Sequence, residues 1–469
     1  YDLLEPNEKD LFGTMSVFTG GGTLEAVEAV GTGLGSVHPG LSETLIPDRR
    51  PLPLPPLTLI PLTPEIDILD VVSSLLDKSL LNRRESPNGE TRLWMLQTIK
   101  EFAGEQLELS PEANEVRERH STFYLDMAEA AAPRLRGPRA AEQMDTLEAE
   151  FDNLRTALAW MLDAGHSEPA LRMAVALWRF WEVRGHITEG RQWLDKALSS
   201  GQWPVVSGQS PHTTTGHYSI LARARALEGA GVLAQHQGDQ ERSRALLDEG
   251  LALYEQIQDK EGIAYMLNHQ GSVEILEGDN TAARRLFERS LALFRDVGSP
   301  PGMVYPLTNL GEVDRQEDDY AAALGRYEEA LSLVRAAGWK DWLVIALQNL
   351  GHAVHHQGDA KRASGLFAEA LVAGRDIGFK PLVGFCLAGM AGVAGSLEQP
   401  ERAARLFGAA DALLAALHVP LDPADRTEYE RNLAAAQAQV DEETWRKAWD
   451  EGQAMTMGQA VDYALENEA

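Results

Sequence analysis

Hydrophobic and small residues recur along residues 222–415 with a period of 40 residues. In each period a leucine is followed four residues later by a tiny residue, and a turn signal comes seven residues after that. A bulky apolar side chain stands nine residues past the turn. The turn signals are Gly238-Asp239, Gly278-Asp279, Asp318-Asp319, Gly358-Asp359 and Glu398-Gln399. Self-similarity at a period between about 20 and 50 residues predicts a repeat array.

Each period indicates two amphipathic helices around a turn. The tiny residue, glycine in the first four periods, allows the paired helix to approach closely. The Gly-Asp turn ends the first helix with a residue that tolerates positive φ, and its carboxylate can cap the next helix. Because one pair cannot bury its own apolar stripe, neighbouring pairs must stack and share a core. The array is predicted over residues 219–415.

The residues before the array show helical, irregular and strand-like patterns of hydrophobic positions. Residues 2–30 predict two helices and residues 66–77 a third. Between them, residues 31–64 lose this periodicity and carry eight prolines, which is the composition of an unstructured insertion. A Pro-Asn-Gly turn at residues 87–89 lies between two short apolar runs and predicts a β-hairpin. Three helices followed by a hairpin predict a winged-helix-like domain over residues 1–110.

The remaining segments indicate helices and one linker. A helical connector is predicted over residues 111–200, a linker over 201–218 and capping helices over 416–469. A polar cap is what the end of a solenoid requires, and Trp445 and Trp449 are expected to cover the last repeat. The connector helices are predicted at 112–131, 140–164, 168–184 and 187–199, and the capping helices at 424–439, 442–452 and 457–467.

The repeat positions resemble tetratricopeptide (TPR) repeats. The resemblance rests on the small residue of the first helix, the Gly-Asp turn, the alanines at 283, 323, 363 and 403, and the Ala-Leu pairs at 330–331 and 370–371. The usual unit has about 34 residues, so the extra residues would lengthen helices or linkers. The expected fold is mainly α: a winged helix, then an α-α superhelix of about five repeats with a divergent pair in the connector.

The order of further segments resembles the region downstream of the nucleotide-binding module in bacterial STAND-class regulatory ATPases. That group includes regulators similar to the maltose activator and to the LuxR-family-type antibiotic-synthesis regulators. The matching segments are 77–81, 96–103, 119–120, 150–155 and 190–194. The resemblance implies that the winged helix is a regulatory joint and that the TPR array senses an inducer or a partner.

The net charge and the cysteine content argue against some classes of protein function. The formal net charge is −29, which favours solubility and argues against a nucleic-acid surface. The single cysteine excludes an internal disulfide framework and fits a reducing cytoplasm. We expect neither a membrane span nor a signal peptide. Because the chain starts at Tyr1 and its first methionine is Met15, we expect it to be a piece of a longer polypeptide.

No catalytic set stands out. The phosphate-binding loop of the resembling family needs a Gly-Lys dipeptide, and the sequence has none. We therefore expect no enzyme activity and no cofactor in this chain, with ATP or ADP bound by an upstream nucleotide-binding domain in the full-length protein. The helix at 66–77 carries three aspartates and no basic residue, so we expect no DNA contact through it. Arg83, Arg84 and Arg92 are assigned to the exposed wing.

The histidines at 352, 355 and 356 share one helix, but a zinc site would need further ligands, so we expect no metal. The inner face of the array is the candidate binding groove, since positions two, five, nine and twelve of a TPR first helix face it. Asn268, Thr308 and Gln348 are expected to offer amides and hydroxyls to a peptide or small inducer. The candidate residues are Arg225, Glu228, Tyr265, Asn268, Tyr305, Thr308, Glu312, Arg315, Gln348, His352 and His355.

We expect the chain to be the sensor region of a STAND-type signalling ATPase or transcription regulator. The array would bind a protein, peptide or inducer, and the winged helix would transmit the change to the upstream domain. Two alternatives stay open. The chain is a stand-alone TPR scaffold, or it belongs to a DNA-binding transcriptional activator.

Overall fold

The computed structural model describes residues 1–32, 68–85, 89–137, 139–201, 214–417 and 423–466. Most of the predicted insertion at 31–64 and of the predicted linker at 201–218 lies outside these residues. Where the structure does describe these two segments, it shows helix at one end of each, although no helix was predicted there. Residues 31 and 32 continue a helix, and helix begins again at Thr214.

By their internal contacts the residues form two compact units. Unit 1 comprises Tyr1–Leu135 and Glu142–Gln258, and unit 2 comprises Arg136–Ala141 and Asp259–Ala469. The TPR-like pairs are divided between them, since the first pair belongs to unit 1 and the other four to unit 2.

Unit 1 begins with helices around a small sheet. The elements are α1 (Pro6–Thr14), β1 (Gly22–Thr23), α2 (Leu24–Thr32), α3 (Ile68–Asp77), β2 (Asn82–Glu85), β3 (Thr91–Trp94) and α4 (Gln97–Glu108). The predicted hairpin is present as β2 and β3, which pair antiparallel with Arg83 opposite Leu93. Strand β1 pairs with the other edge of β3, so the order is β1-β3-β2. Two residues are too short for a period-two pattern, and the sequence analysis missed this strand.

The connector is helical as predicted, with one interruption. Its helices are α5 (Ala113–Ala131), α6 (Ala140–Ala149), α7 (Phe151–Asp163), α8 (Ser167–Arg184) and α9 (Ile187–Ser199). The single helix predicted at 140–164 is wrong. It is divided at Glu150, whose backbone leaves the helical region at φ −102° and ψ 7° and whose side chain is buried.

The array consists of consecutive helix pairs. They are α10 (Thr214–His236) with α11 (Gln240–Gln256), α12 (Lys260–Glu277) with α13 (Asn280–Val297), α14 (Pro300–Gln316) with α15 (Tyr320–Ala337), α16 (Lys340–His356) with α17 (Ala360–Asp376), and α18 (Lys380–Ser396) with α19 (Pro400–Leu417). From α12 to α19 each helix packs on the next, and the first helices α12 and α14, and α16 and α18, also touch. The mainly α TPR solenoid predicted from the 40-residue period is confirmed.

The turns within the pairs follow the predicted chemistry. The carboxylates of Asp239, Asp279, Asp319 and Asp359 each accept a hydrogen bond from a backbone N–H three residues ahead. The residue before each aspartate has positive φ, which glycine adopts readily and Asp318 adopts at 61°. These two features end one helix and start the next within the same few residues.

Three helices follow the array: α20 (Pro423–Gln437), α21 (Glu442–Gln453) and α22 (Met457–Leu465). Trp445 of α21 is buried in the same apolar cluster as the last pair, and its ring lies 6.3 Å from that of Trp449. Backbone groups of α19 and α21 approach closely at Gly408 and Gly452. Helix α20 differs from the expected end cap, because it reaches side chains on α14 and α16.

The tiny residue of each first helix faces a bulky side chain of its partner. A Cβ atom at Gly311 would overlap the ring of Tyr327, and one at Gly351 would lie 2.9 Å from Cζ of Phe367. Such distances do not occur in real contacts, so a larger residue would force the two helices apart.

We therefore expect Gly311→Ala to lower the free energy of unfolding by about 1–3 kcal/mol, because the new methyl group overlaps a fixed aromatic ring. Denaturant titration followed by circular dichroism measures this change. The matched control is Gly325→Ala on α15, where the added Cβ meets open space. The control should be neutral or stabilising by up to about 1 kcal/mol. Equal effects of the two substitutions would contradict the close approach.

Candidate functional site

The first helices of unit 2 carry most of the predicted groove residues, and the structure buries them. Of the predicted residues in unit 2, Glu312 and His352 are half-buried and the others are buried. Most of the predicted groove residues are therefore inaccessible to solvent in the structure, and their role in binding stays a prediction. The buried members are Tyr265, Asn268, Tyr305, Thr308, Arg315, Gln348 and His355.

The row of amides and hydroxyls already has internal partners. The hydroxyl of Thr308 donates to the carbonyl of Val304 on its own helix at 2.9 Å. The side-chain oxygen of Asn268 accepts from the amide of Asn309 at 3.0 Å. Gln348 borders a cavity of about 20 Å³, which is room for one water molecule. These groups do not form a free ladder for an extended peptide.

The two tyrosines expected to stack on a ligand pack within the protein instead. The ring of Tyr265 meets those of Phe294 and Tyr305 edge-on at 4.8 and 5.6 Å. Tyr305 in turn meets Trp342 at 4.7 Å, and the guanidinium of Arg136 lies 5.3 Å from the Tyr305 ring. This aromatic cluster is part of the core of unit 2.

A buried charge centre joins three helices of unit 2. The carboxylate of Glu428 on α20 accepts hydrogen bonds from Arg315 on α14 at 3.0 Å and from His352 on α16 at 3.1 Å. Arg315 also pairs with Glu312 at 2.9 Å. Only 5% of the Glu428 side chain and 7% of the Arg315 side chain are exposed. The groove residues Arg315 and His352 thus bind a carboxylate of the chain itself, and Glu312 holds Arg315 from the other side.

The groups around Glu428 lower the pKa of its carboxyl group. Burial alone would raise the pKa, but the charge and hydrogen bond of His352, then the charges of Arg315 and Arg431, lower it from 4.5 to about 2. The carboxylate is therefore ionised at neutral pH, and its charge is held by two other elements. The sequence analysis assigned residues 424–439 to a cap and missed Glu428, because no local pattern indicates a partner on another repeat.

The other two histidines of α16 lie in separate environments. Nε2 of His355 lies 2.7 Å from the hydroxyl of Ser396 on α18, and His356 stacks flat on Tyr320 at 3.5 Å. Burial lowers the pKa of both imidazoles. Within the described ranges, no group of three or more His, Cys, Asp or Glu side chains is placed to hold a metal ion.

The two candidates from the first pair belong to unit 1. Glu228 on α10 is buried and accepts a hydrogen bond from the hydroxyl of Tyr254 on α11 at 3.3 Å. Arg225 lies one turn earlier and is half-buried. Glu228 therefore connects the two helices of its own pair.

A second buried polar cluster occurs in unit 1, where the sequence predicted an exposed wing. Arg92 on β3 is 4% exposed and forms a salt bridge with Glu150, and its Nη2 also donates to the carbonyl of Gly21 at 2.8 Å. Tyr124 and Asn153 donate to Glu150 Oε2 at 2.9 and 2.7 Å. The assignment of Arg92 to a solvated wing is wrong. Glu150 and Asn153 lie in the 150–155 segment, which was noted only as a resemblance.

This cluster, defined by Arg92, Glu150, Tyr124 and Asn153, fastens the small sheet to α5 and α7. Burial, and then the charge and hydrogen bond of Glu150, raise the pKa of Tyr124, so the phenol stays protonated as a donor. A cavity of about 250 Å³ lies nearby and is bordered by His120. Burial lowers the pKa of His120 to about 3, which keeps it uncharged.

We expect Arg92→Met to reduce the free energy of unfolding by about 3–5 kcal/mol, because it leaves the Glu150 carboxylate buried without its cation. Urea denaturation followed by tryptophan fluorescence measures the loss. The control is Glu249→Ala, which removes a more exposed partner of Arg223 in the same unit and should change stability by less than about 1 kcal/mol. A loss for Arg92→Met no larger than that of the control would contradict the role of the cluster.

Glu428→Gln should destabilise the protein in a pH-dependent manner. The folded-state pKa of Glu428 is depressed, so its stabilisation is fully present above about pH 4.5 and is lost as the pH falls towards about 2. The shift corresponds to about 3 kcal/mol at about pH 6 and to less than half of that at about pH 3.

Urea midpoints of the wild type and the variant at the two pH values measure this difference. Glu430→Gln, on the exposed face of α20, is the control and should change stability by less than about 0.5 kcal/mol at either pH. A wild-type to Glu428→Gln difference that does not shrink on acidification would contradict the assignment.

Residues 262–336 match the family model for the tetratricopeptide repeat. Similar proteins named as HTH-type transcriptional regulators occur in Mycobacterium bovis and in Mycobacterium tuberculosis. Each is 30% identical over 235 residues, which is 50% of this chain and 22% of the relative. The chain therefore spans about a fifth of the length of these relatives.

A solved structure, that of a signal transduction ATPase with numerous domains (STAND) protein with a tetratricopeptide repeat sensor from Pyrococcus horikoshii, is also similar. It is 16% identical, with a TM-score of 0.49 over 98% of this chain and 65% of that one. None of the helices in the ranges that the structure covers is long and apolar enough to cross a membrane. The fold is mainly α-helical, with consecutive helix pairs packed as in a tetratricopeptide-repeat solenoid, and the match to that family model covers residues 262–336.

Proposed function

We propose that this chain is the regulatory and sensor region of a cytoplasmic STAND-type signalling ATPase or transcription regulator. The repeats of unit 2 bind a protein partner or inducer. The helices and sheet of residues 1–108 form a winged helix, which transmits the bound state to a nucleotide-binding domain upstream of Tyr1.

The observation that carries the proposal is the buried cluster around Arg92 and Glu150. It ties strand β3 to the connector helices through a salt bridge, and through further hydrogen bonds from Tyr124 and Asn153. These buried interactions couple the position of the sheet to that of α5 and α7, and such coupling is what a regulatory joint requires. The element order of helix, strand, two helices and hairpin supports the winged-helix interpretation.

The relatives support a regulatory role. The mycobacterial proteins are named as HTH-type transcriptional regulators, and this chain matches a segment of about a fifth of their length. A sensor region of a larger regulator fits such a partial match. The single cysteine of the sequence, Cys386, is a buried free thiol, and a chain without an internal disulfide fits a reducing cytoplasm.

Nucleic acid is not a partner of this region in the proposal. Helix α3 has no basic residue and carries Asp70 and Asp77. Arg92 of the hairpin is occupied by Glu150, and Arg84 donates to the carbonyl of Gly20 at 3.1 Å. The phosphate neutralisation on which DNA affinity depends therefore has few available cations here.

Hydrogen exchange on the full-length gene product tests the proposal. We expect an upstream phosphate-binding loop in that product. Exchanging ADP for a non-hydrolysable ATP analogue should change amide protection in the hairpin at 82–94 and in α4 by at least about tenfold, because a coupled joint opens or closes with the nucleotide state.

The control is the 469-residue chain alone, which lacks the phosphate-binding motif and should give the same exchange pattern with either nucleotide. A full-length product without an upstream nucleotide-binding module would overturn the proposal. So would a full-length product in which the nucleotide leaves residues 82–108 unchanged.

A further inference from the structure

Helix α20 occupies the inner side of unit 2 through one buried carboxylate. Glu428 binds Arg315 on α14 and His352 on α16, which belong to two different repeats. One and two turns further along α20, Asn432 and Ala436 lie against Gly392 and Gly395 of α18. The helix thus spans the first helices of three consecutive repeats. That face is the one a TPR array offers to ligands.

The contacts of α20 are chemically specific. A Cβ atom at Gly392 would lie 2.9 Å from the amide nitrogen of Asn432, and one at Gly395 would lie 2.9 Å from Cβ of Ala436. The ring of Tyr429 meets Phe407 edge-on at 5.1 Å. The surface therefore accepts a carboxylate, then an aromatic residue, then two small side chains at four-residue spacing, all on one face of a helix.

Among the described residues, helix α20 has fewer buried positions than the helices of the array have. Within the part of α20 whose side chains are described, residues 426–437, only Glu428 and Ala436 are buried. A cavity of about 20 Å³ remains between α20, Gln348 and Phe385. The main buried interaction of α20 is the single charge centre of Glu428 with Arg315 and His352, so the helix depends on one carboxylate more than on a broad apolar face. Elements with few buried apolar contacts open at lower free energy than the rest of a fold.

We propose that α20 is a displaceable occupant of this groove, and that the natural partner is an acidic amphipathic helix that replaces it. The partner presents a carboxylate to Arg315 and His352, an aromatic residue next to it, and side chains no larger than Asn and Ala over Gly392 and Gly395. This inference rests on the proposed function in taking the inner face of unit 2 as the recognition surface.

Because α20 belongs to the same chain as the groove, it competes with any partner helix for that groove. An attached helix competes at an effective concentration in about the millimolar range, so a partner helix of equal intrinsic affinity binds the wild-type chain weakly. Weakening the attached copy removes that competition and leaves Arg315, His352 and the two glycines available.

The test uses a fluorescein-labelled peptide with the sequence of residues 423–440, titrated by anisotropy with the 469-residue chain and its variants. Glu428→Lys places a like charge beside Arg315 and should expel α20 from the groove. We expect this variant to bind the peptide at least about tenfold more tightly than the wild type does. Glu430→Lys, on the exposed face of the same helix, is the matched control and should bind as the wild type does.

A second peptide with lysine at the position of Glu428 should not bind the Glu428→Lys chain. Equal affinity of all three chains, or no binding to a Glu428→Lys chain with unchanged circular dichroism, would overturn the proposal and leave α20 a fixed part of the core. The assay contains no nucleotide and no upstream domain. Its failure is therefore distinct from failure of the proposed coupling.

Hydrogen exchange on the unmodified chain gives an independent measurement if Glu428→Lys does not fold. Amides of α20 should exchange at least about tenfold faster than those of α18 and α19, because α20 opens without unfolding the array. Exchange of α20 at the rate of α18 would show that it opens only with the whole unit and would refute displacement.

Discussion

The close approach of paired helices at one small residue determines the geometry of the array. The space beside Gly271, Gly311 and Gly351 is filled by an aromatic ring of the partner helix. This contact fixes the rotation of each first helix about its own axis. Equivalent residues of successive repeats therefore lie on the same side of the array. That alignment places Arg315 and His352, on successive repeats, around a single carboxylate of α20. The charge centre is thus a consequence of a packing rule that operates elsewhere in each repeat.

Local patterns predicted the array well and failed where distant residues decide the structure. The turns, the aspartate caps and the small-to-bulky contacts lie within one 40-residue period, so the sequence displays all of them together. The break at Glu150 depends on Arg92, which is 58 residues away, and the position of α20 depends on Arg315, which is 113 residues from Glu428. Nothing in an eleven-residue or eighteen-residue pattern reports such partners. Strand β1 was missed for a related reason, since Gly22 and Thr23 become a strand only by pairing with β3.

At the candidate site, too, the sequence predicted where residues lie on a helix but not which groups they contact. The helix register grouped Arg315, Gln348 and His352 on one face of the first helices, and in the structure all three lie beside α20. It could not show that Thr308 donates to its own helix or that Asn268 is held by Asn309. Polar side chains on a curved helical surface have many possible partners, and only the packed structure selects among them. Removing one member of a buried charge pair leaves the other without a counter-charge, so Arg315, His352 and Glu428 restrict which side chains can stand at this position.

The segment Arg136–Ala141 gives the chain an unusual order of assembly. It belongs to unit 2, where Arg136 lies over Tyr305 and Gly137 borders Trp339, yet it interrupts the sequence of unit 1, which resumes at Glu142. During synthesis this segment emerges well before the repeats that receive it, so unit 2 reaches its final contacts only after the chain has passed through unit 1 and returned. A fragment starting at Asp259 would lack the segment and leave that side of the aromatic cluster uncovered. The two units are interleaved along the chain, so no single cut in the sequence divides them.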